Sequence, residues 1–510
     1  MGKKEDVELE RIMVKNIFIA GLIIIGLLMA VIFVRTVNYG QQTAGANVII
    51  VPDAPEIDAE QAAINLGEAI RYQTTTLIAG DPRTGQEQPW LDFQDWMQAT
   101  YPAFHAAARK ETVPGGHTLL FTWRGRDPEL KPLLLMAHQD VVPVNMGTLN
   151  DWDAPPFSGD IQNGYVYGRG TLDNKGALVG LLEALNALAV EDFHPERTIL
   201  LMLGHDEEVG GSGAAAGIQL LKLRGVSPIM ALDEGSMVLK ASPLTGRPMG
   251  LIGIAEKGYL TLNLTVSAAG GHSSMPRQDS APVLLARALI ALDENQMPLD
   301  LSRAPVSTLL RASAGDMSFS TRMALANPWL FGPLIDAQIS SSPTANAMVR
   351  TTTAPTMLVG SPKENVLAQR ASATVNFRIH PNDTEADIIA HVEHLTKDIP
   401  GLSITRGRSG IRGFGASPVS PTDNVPYGVL SSIAAEIGNG APVSPSLVLG
   451  ATDSRYASAI TDNVYRFMPA MLAPEDLGGF HGTNERLTVE NVGQLARGYA
   501  QIVLAMDRET

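Results

Sequence analysis

The stretch LLLMAHQDVVPV, residues 133–144, is an apolar run that stops abruptly at His138 and Asp140. An unbroken run of this length without helical periodicity reads as a strand buried on both faces, as in a parallel sheet. A strand interior disfavours both His and Asp, so the polar pair marks a strand end. Working outward, HTLLFTWRG (117–125), RTILLMLGHDEE (197–208) and SPIMALDEGS (227–236) repeat the pattern of apolar run and polar ending, while NKGALVGLLEALNALAVE (174–191) has helical periodicity. The alternation predicts an α/β fold. In open sheets of this kind ligands gather beyond the carboxyl ends of the strands, which is where these polar residues fall.

A His-x-Asp triplet alone carries little information in a chain of 510 residues with 10 His. More is added by GRGTLDNKG (168–176), where Asp173 sits in a Gly-rich loop just before a helix, by Glu207 and Glu208 of GHDEEVGG (204–211), and by Asp233 of ALDEGS. Carboxylates at four successive strand ends repel one another unless something cationic lies among them or the loops are solvated. A pair of divalent ions resolves the repulsion, because imidazole and carboxylate donors suit zinc and its neighbours. The chain has no cysteine, so any metal rests on His, Asp and Glu. The net charge of −15, with no cluster of Lys and Arg, argues against a nucleic-acid partner.

The N-terminus differs in kind. NIFIAGLIIIGLLMAVIFV, from Asn16 to Val34, carries no charge, is flanked by Arg11, Lys15 and Arg35, and is long enough for a bilayer core. It predicts a single transmembrane anchor. A cleaved signal is the competing reading, with AGA at 44–46 as its only obvious site. Two basic residues before the span against one after it place the N-terminus in the cytoplasm and the bulk of the chain on the extracytoplasmic side.

Taken together, AHQDVVPV, GRGTLDNKG, GHDEEVGG, ALDEGS, GGHSSMP (270–276) and GFHGTNE (479–485) resemble six signatures of the co-catalytic zinc metallopeptidases. That family groups carboxypeptidase S, glutamate carboxypeptidase, aminoacylase and succinyl-diaminopimelate desuccinylase. RTTTAPTM (350–357), KENV (363–366), VNFRIHP (375–381) and TDSRY (452–456) look most like the branch of carboxypeptidase S and the N-fatty-acyl-amino-acid hydrolases. The resemblance spans roughly residues 55–510. It implies a catalytic domain of mixed sheet flanked by helices, at 56–255 and 417–510, with an inserted α+β lid at 256–416. A cytoplasmic segment 1–15, the anchor 16–35 and a linker 36–55 precede it.

Carried over motif by motif, the resemblance implies two zinc ions bridged by Asp173, one also held by Glu208 and His481, the other by His138 and Asp233. Glu207 would be the general base, Asp140 would orient His138, and His272 of the lid would polarise the scissile carbonyl from its own or a partner subunit. Asn365, Arg378 and Arg455 would hold substrate, and the Asp173–Asn174 peptide bond would be cis. The implied activity is hydrolysis of the amide bond of small substrates with a free carboxylate, dipeptides of the Gly-Xaa type or N-acyl amino acids. The alternative is an inactive, membrane-tethered binding protein of the same fold, and a homodimer would form through the lid. Two departures touch substrate fit: KENVLAQR lacks the Pro that often follows this Asn-Val, and Ala451 stands where a Gly is common. NPWLFGPLIDAQISSSP (327–343) belongs to extra material between about 285 and 345 that a minimal family lid lacks, and nothing in the sequence assigns it a purpose.

Overall fold

The computed structural model describes residues 2–40, 49–78, 86–407 and 413–508, so the AGA at 44–46 lies outside the described residues. Two compact units emerge, one of Met1–Ala44 with Leu310–Asn346, the other of Gly45–Leu309 with Ala347–Thr510.

The larger unit is organised by the strand Leu133–His138, all six residues of which are buried. It pairs in parallel with Ile199–Gly204 on one side and Met230–Asp233 on the other, and Val464–Arg466 extends the parallel set beyond Met230–Asp233. Further strands, among them the antiparallel Leu119–Trp123, complete a ten-stranded mixed sheet among the described residues. Strand residues of alternating parity feed two cores. Leu133, Leu135, Leu201 and Leu232 pack with helices Ala59–Ile70, Lys175–Val190 and Val489–Arg508, whereas Leu134, Met136, Met202 and Ala231 pack with helix Ser212–Leu223. Burial on both faces explains why these strands read as unbroken apolar runs.

A second, four-stranded antiparallel sheet is built from residues 258–406, in the order Thr352–Val359, Arg370–Ile379, Gly258–Ser267, Leu402–Arg406. Its strand Arg370–Ile379 alternates buried and less buried residues, the period-two signature of a sheet with one covered face. The covering helices are Ala281–Glu294 and Glu385–Thr396, the latter started by a reciprocal Thr384–Asp387 capping box. The chain passes from the large sheet to the small one across one residue: Met249–Glu256 lies in the first, Gly258 begins the second, and the buried Lys257 donates to the carbonyls of Ala347 and Arg350, both at 2.9 Å. Burial pulls the Lys257 ammonium down to about 7. A Cβ at residue 258 would stand 2.4 Å from the Ala416 nitrogen, so only glycine fits where the outgoing and returning chains touch.

In the smaller unit, one helix runs from Gly2 to Asn38. Its portion Met13–Asn38 is 26 residues long, apolar, and long enough to cross a membrane. The segment 310–346, expected to belong to the insert 256–416, groups with this helix. It contains helices Phe319–Ala326 and Pro328–Ser340.

Within the larger unit, Glu256 and Arg466 form an ion pair of 3.0 Å that is almost wholly buried, and Glu256 also accepts from the Thr452 amide and hydroxyl. Removing one partner strands the other charge in the interior. Arg466→Met is therefore expected to lower unfolding stability by about 3–5 kcal/mol, and the double variant Arg466→Met/Glu256→Gln to recover much of the loss. Urea unfolding midpoints of the three proteins check this, and a double variant no better than the single one would contradict it.

Candidate metal centre

The polar residues after the central strands converge. Asp140, fully buried, collects four donors: its Oδ1 accepts from the Glu207 amide at 3.0 Å and lies 3.3 Å from His138 Nδ1, while its Oδ2 accepts from the Glu208 amide at 3.2 Å and the Thr76 hydroxyl at 2.7 Å. Burial pushes this carboxyl up, but the contacts from His138, Thr76 and the Glu208 amide outweigh it and hold it below the usual range. Asp140 thus does more than orient His138. It caps the turn Glu207–Val209 and so fixes where both glutamates stand.

With Nδ1 turned toward the Asp140 carbonyl at 2.9 Å, His138 presents Nε2, which lies 3.0 Å from Asp173 Oδ1 and 3.2 Å from Glu234 Oε1. The second oxygen of Asp173 lies 3.0 Å from His481 Nε2, and the same nitrogen is 3.1 Å from Glu208 Oε2. Two donor triplets therefore share Asp173: His138, Asp173 and Glu234 on one side, and Asp173, Glu208 and His481 on the other, with the donor atoms of each triplet within 4.8 Å of one another. The Asp173–Asn174 peptide bond is cis. His138 and Glu234 are buried and Asp173 partly so, while the His481 side chain is 52% exposed, so the centre opens to solvent on that side.

The loops bearing Asp173 and His481, some 300 residues apart, are tied by Arg169 and Glu485. Arg169 donates to Glu485 Oε2 at 2.5 Å and to the carbonyls of His481 and Gly482 at 3.1 and 3.0 Å. The other Glu485 oxygen accepts from the amides of Leu172 and Asp173 at 2.8 and 3.1 Å. His481 itself adopts a positive φ of 57°, a conformation that few non-glycine residues hold unaided.

The electrostatics follow from crowding. Burial and the neighbouring Asp173 raise the Glu234 carboxyl to about 8. Burial, with His138 opposing and Asp453, Glu208 and Glu234 adding, drives Glu207 well above the carboxylate range. Hydrogen bonds donated to the carboxylates of Asp173 and Glu208 raise the His481 imidazole to about 10. For His138, burial acts downward, but Glu234, Asp140 and Asp173 together push it well up. These four upward shifts favour more positive charge in the centre, while Asp173, against the effect of burial, is held below the usual range by its contacts with His138 and His481. Glu208 Oε1, moreover, is buried without a hydrogen-bond partner, a lone pair in want of a cation. This donor set suits divalent zinc-like ions.

The sequence resemblance points to Asp233 as the partner of His138 at the metal; in the structure it is the neighbouring Glu234 that lies beside His138. Asp233 accepts from the Glu234 amide at 3.0 Å and the Ser454 amide at 2.8 Å, so both of its oxygens serve the backbone. The cause is strand parity. Leu232 and hence Glu234 belong to the face of helix Lys175–Val190, which Asp173 and Asn174 precede, and the Asn174 side-chain amide donates to Glu234. Ala231 and Asp233 belong to the opposite face. The parity was available in the sequence once ALDE was read as a strand.

Arg455 lies beside Glu207, with Nη1 3.9 Å from its carboxylate, but its fork is committed to the carbonyls of Thr452 and Gly210 at 2.5 and 2.8 Å and it packs over Phe414 and Tyr456. Arg378 stacks over Tyr259 on the small sheet and has no carboxylate partner among the described residues. His272 and Asn365 lie together, in and beside the short ladder that pairs His272 with Val366. The Ser273 amide donates to the Asn365 carbonyl at 3.2 Å, and His272 Nδ1 faces the Ser274 amide and hydroxyl. No hydrogen bond or ion pair joins His272 or Asn365 to the donor triplets among the described residues. Asp453, unremarked in the sequence, is buried against Gly204 and Gly211 with neither oxygen hydrogen-bonded; a Cβ on residue 211 would stand 1.8 Å from its Oδ1.

Residues 134–505 match the model of peptidase family M20/M25/M40. The chain is 35% identical over 502 residues to an N-fatty-acyl-amino acid synthase/hydrolase, PM20D1, of Xenopus tropicalis, covering 96% of this chain and 94% of that protein. It is 29% identical over 456 residues to carboxypeptidase S of Saccharomyces cerevisiae, covering 81% and 78%. Among solved structures, an M20 family metallo-carboxypeptidase of Sulfolobus solfataricus superposes with a TM-score of 0.60 at 16% identity, over 88% of this chain and all of that one. Human carnosine dipeptidase 1 gives 0.59 at 15% identity, over 89% and 100%. With the mixed sheet, the family match along most of its length and full-length relatives that carry hydrolase names, the chain belongs to peptidase family M20/M25/M40 and is a hydrolase.

Proposed function

We propose that the protein is a two-zinc amidohydrolase that cleaves small substrates with a free carboxylate, N-acyl amino acids or dipeptides, while tethered to a membrane by its N-terminal helix. The observation that carries the reading is Asp173, whose two oxygens each meet a different imidazole with a second carboxylate beside it. His138, Asp173 and Glu234 would hold one ion, and Asp173, Glu208 and His481 the other. Ions so placed supply Lewis acidity and acidify water at neutral pH. Glu207, next in sequence to Glu208 but outside both triplets, would take the proton from the attacking water at its carboxylate and return it to the leaving amine. Its raised affinity for protons suits that exchange. Arg378 offers a guanidinium without a carboxylate partner, fit for the substrate carboxylate, and Asn365 and His272 would close over the amide. Arg455 would position the loop around Glu207. The names of relatives support both substrate classes, since one is an N-fatty-acyl-amino acid synthase/hydrolase and another a carboxypeptidase.

We read residues 258–309 and 347–406 as the lid. Its outer strand Thr352–Val359 leaves Met357, Leu358 and Val359 exposed on a sheet edge, a surface that supports pairing with a second copy. The anchor reading rests on the helix Met13–Asn38, and Arg11 and Lys15 ahead of its uncharged stretch Asn16–Val34 support an extracytoplasmic larger unit.

Elemental analysis of the purified protein after zinc repletion is expected to give close to two equivalents. Glu234→Gln should lower this toward one, and Asp233→Asn should leave it at two. The reverse pattern would return the ligand role to Asp233.

Glu207→Gln is expected to keep zinc while kcat falls by roughly 100-fold or more on a panel of N-acyl amino acids and dipeptides. Glu208→Gln should lose zinc and activity together, with partial rescue by excess metal. Wild-type protein loaded with zinc but inert on the whole panel would favour a binding role instead.

The full-length protein should remain with membranes through high salt and alkaline wash. A mature N-terminus mapped near Gly45 or Ala46 would show a cleaved signal and refute the tether.

A further inference from the structure

The segment 310–346 carries an amphipathic pattern turned outward. In helix Pro328–Ser340 the exposed residues include Trp329, Pro333 and Ala337, spaced i, i+4, i+8, and beside them Leu330 and Leu334, spaced i, i+4. Trp329 is 55% exposed and Leu334 63%, whereas Ile335 is the one buried residue of the helix. A surface helix in water shows the opposite arrangement, with its apolar stripe inward. Across residues 313–349 only Asp316, Arg322 and Asp336 carry charge.

The same unit fastens this segment to the end of the N-terminal helix. Arg35 Nε donates to the Ala326 carbonyl at 3.0 Å, the buried Asn327 and Thr36 meet at 3.5 Å, and the Phe33 and Phe319 rings lie 6.4 Å apart. At Gly40, with a φ of 90°, an added Cβ would come within 2.5 Å of the Ala314 Cβ, so the chain leaving the helix also lies against the segment. Phe319, 49% exposed, thus stands beside the last apolar turn of the span, and the exposed Trp329, Leu330 and Leu334 follow on the adjoining helix Pro328–Ser340.

From this continuity we infer that helices Phe319–Ala326 and Pro328–Ser340 are an interfacial foot. Their face of Phe319, Trp329, Leu330 and Leu334 is set about 5–10 Å into the acyl and headgroup boundary of the leaflet where the span ends. The occupant of the face is the lipid itself. The inference rests on the anchor reading and adds to it a second, horizontal attachment made by the insertion that a minimal family lid lacks. Tryptophan is suited to that depth, having an apolar body and one polar hydrogen.

The test uses the full chain in phosphatidylcholine vesicles whose acyl chains are brominated close to the carbonyl end. The chain has 5 tryptophans, so contact of Trp329 with lipid should quench about one fifth of the emission, and Trp329→Phe should abolish that quenching. Leu28→Trp, added to Trp329→Phe, reports on the span separately. Quenching of that variant without quenching of Trp329 overturns the foot and leaves the anchor standing. Quenching of neither sinks the anchor reading and the foot with it. If Trp329 escapes both brominated lipid and aqueous iodide while the span reporter is quenched, a second copy covers the face and the inference fails.

Discussion

The controlling constraint is the repulsion among carboxylates that the large sheet brings to one place. Asp173, Glu207, Glu208 and Glu234 share a space with only two imidazoles, in a setting where unpaired charge is expensive. Much of the surrounding structure answers that constraint with neutral donors. Asp140 spends its oxygens on the amides of Glu207 and Glu208, Glu485 on those of Leu172 and Asp173, and Asp206 on those of Ser212 and Gly213. Backbone amides are held by the fold and cannot swing away, so each acidic side chain that aligns a loop is itself kept in place. Within the second triplet Glu208 Oε1 keeps no hydrogen-bond partner, and there a cation is welcome.

How much of this could be read from residues alone depends on distance along the chain. The strand at 133–138 was legible because burial on both faces leaves an unbroken apolar run, and His138, Asp173, Glu208 and His481 stood out through the motifs around them. That Glu234 rather than Asp233 faces His138 turns on one residue, and in a strand one residue is the difference between two faces. Arg169 and Glu485 were not legible as partners, since nothing local says that residues 316 apart will meet. The exposed stripe of Pro328–Ser340 was opaque for a different reason: apolar residues at helical spacing predict a buried face, and only the folded chain shows that this one looks outward.

Within the larger unit the two sheets carry different kinds of residue. The large one holds the acidic and imidazole groups on strand ends and tight turns, where packing fixes them. The small one carries Arg378, His272 and Asn365 on an antiparallel sheet and a short ladder. Between them runs the single residue Lys257, whose ammonium grips two carbonyls rather than a carboxylate. On the proposed reading, chemistry would sit on the first sheet and recognition on the second, a division that would let substrate preference drift without disturbing metal affinity.

The grip of Arg169 on the loop after residue 480 sets an order of events in biosynthesis. Four of the five donor residues lie between residues 138 and 234, but His481 and the Glu485 that steadies Asp173 come from a tail of the chain some 250 residues later. While that tail is still inside the ribosome or a translocation channel, Asp173 lacks its support and one triplet lacks its imidazole. The two triplets can therefore be complete together only once the loop of His481 has folded back onto Arg169.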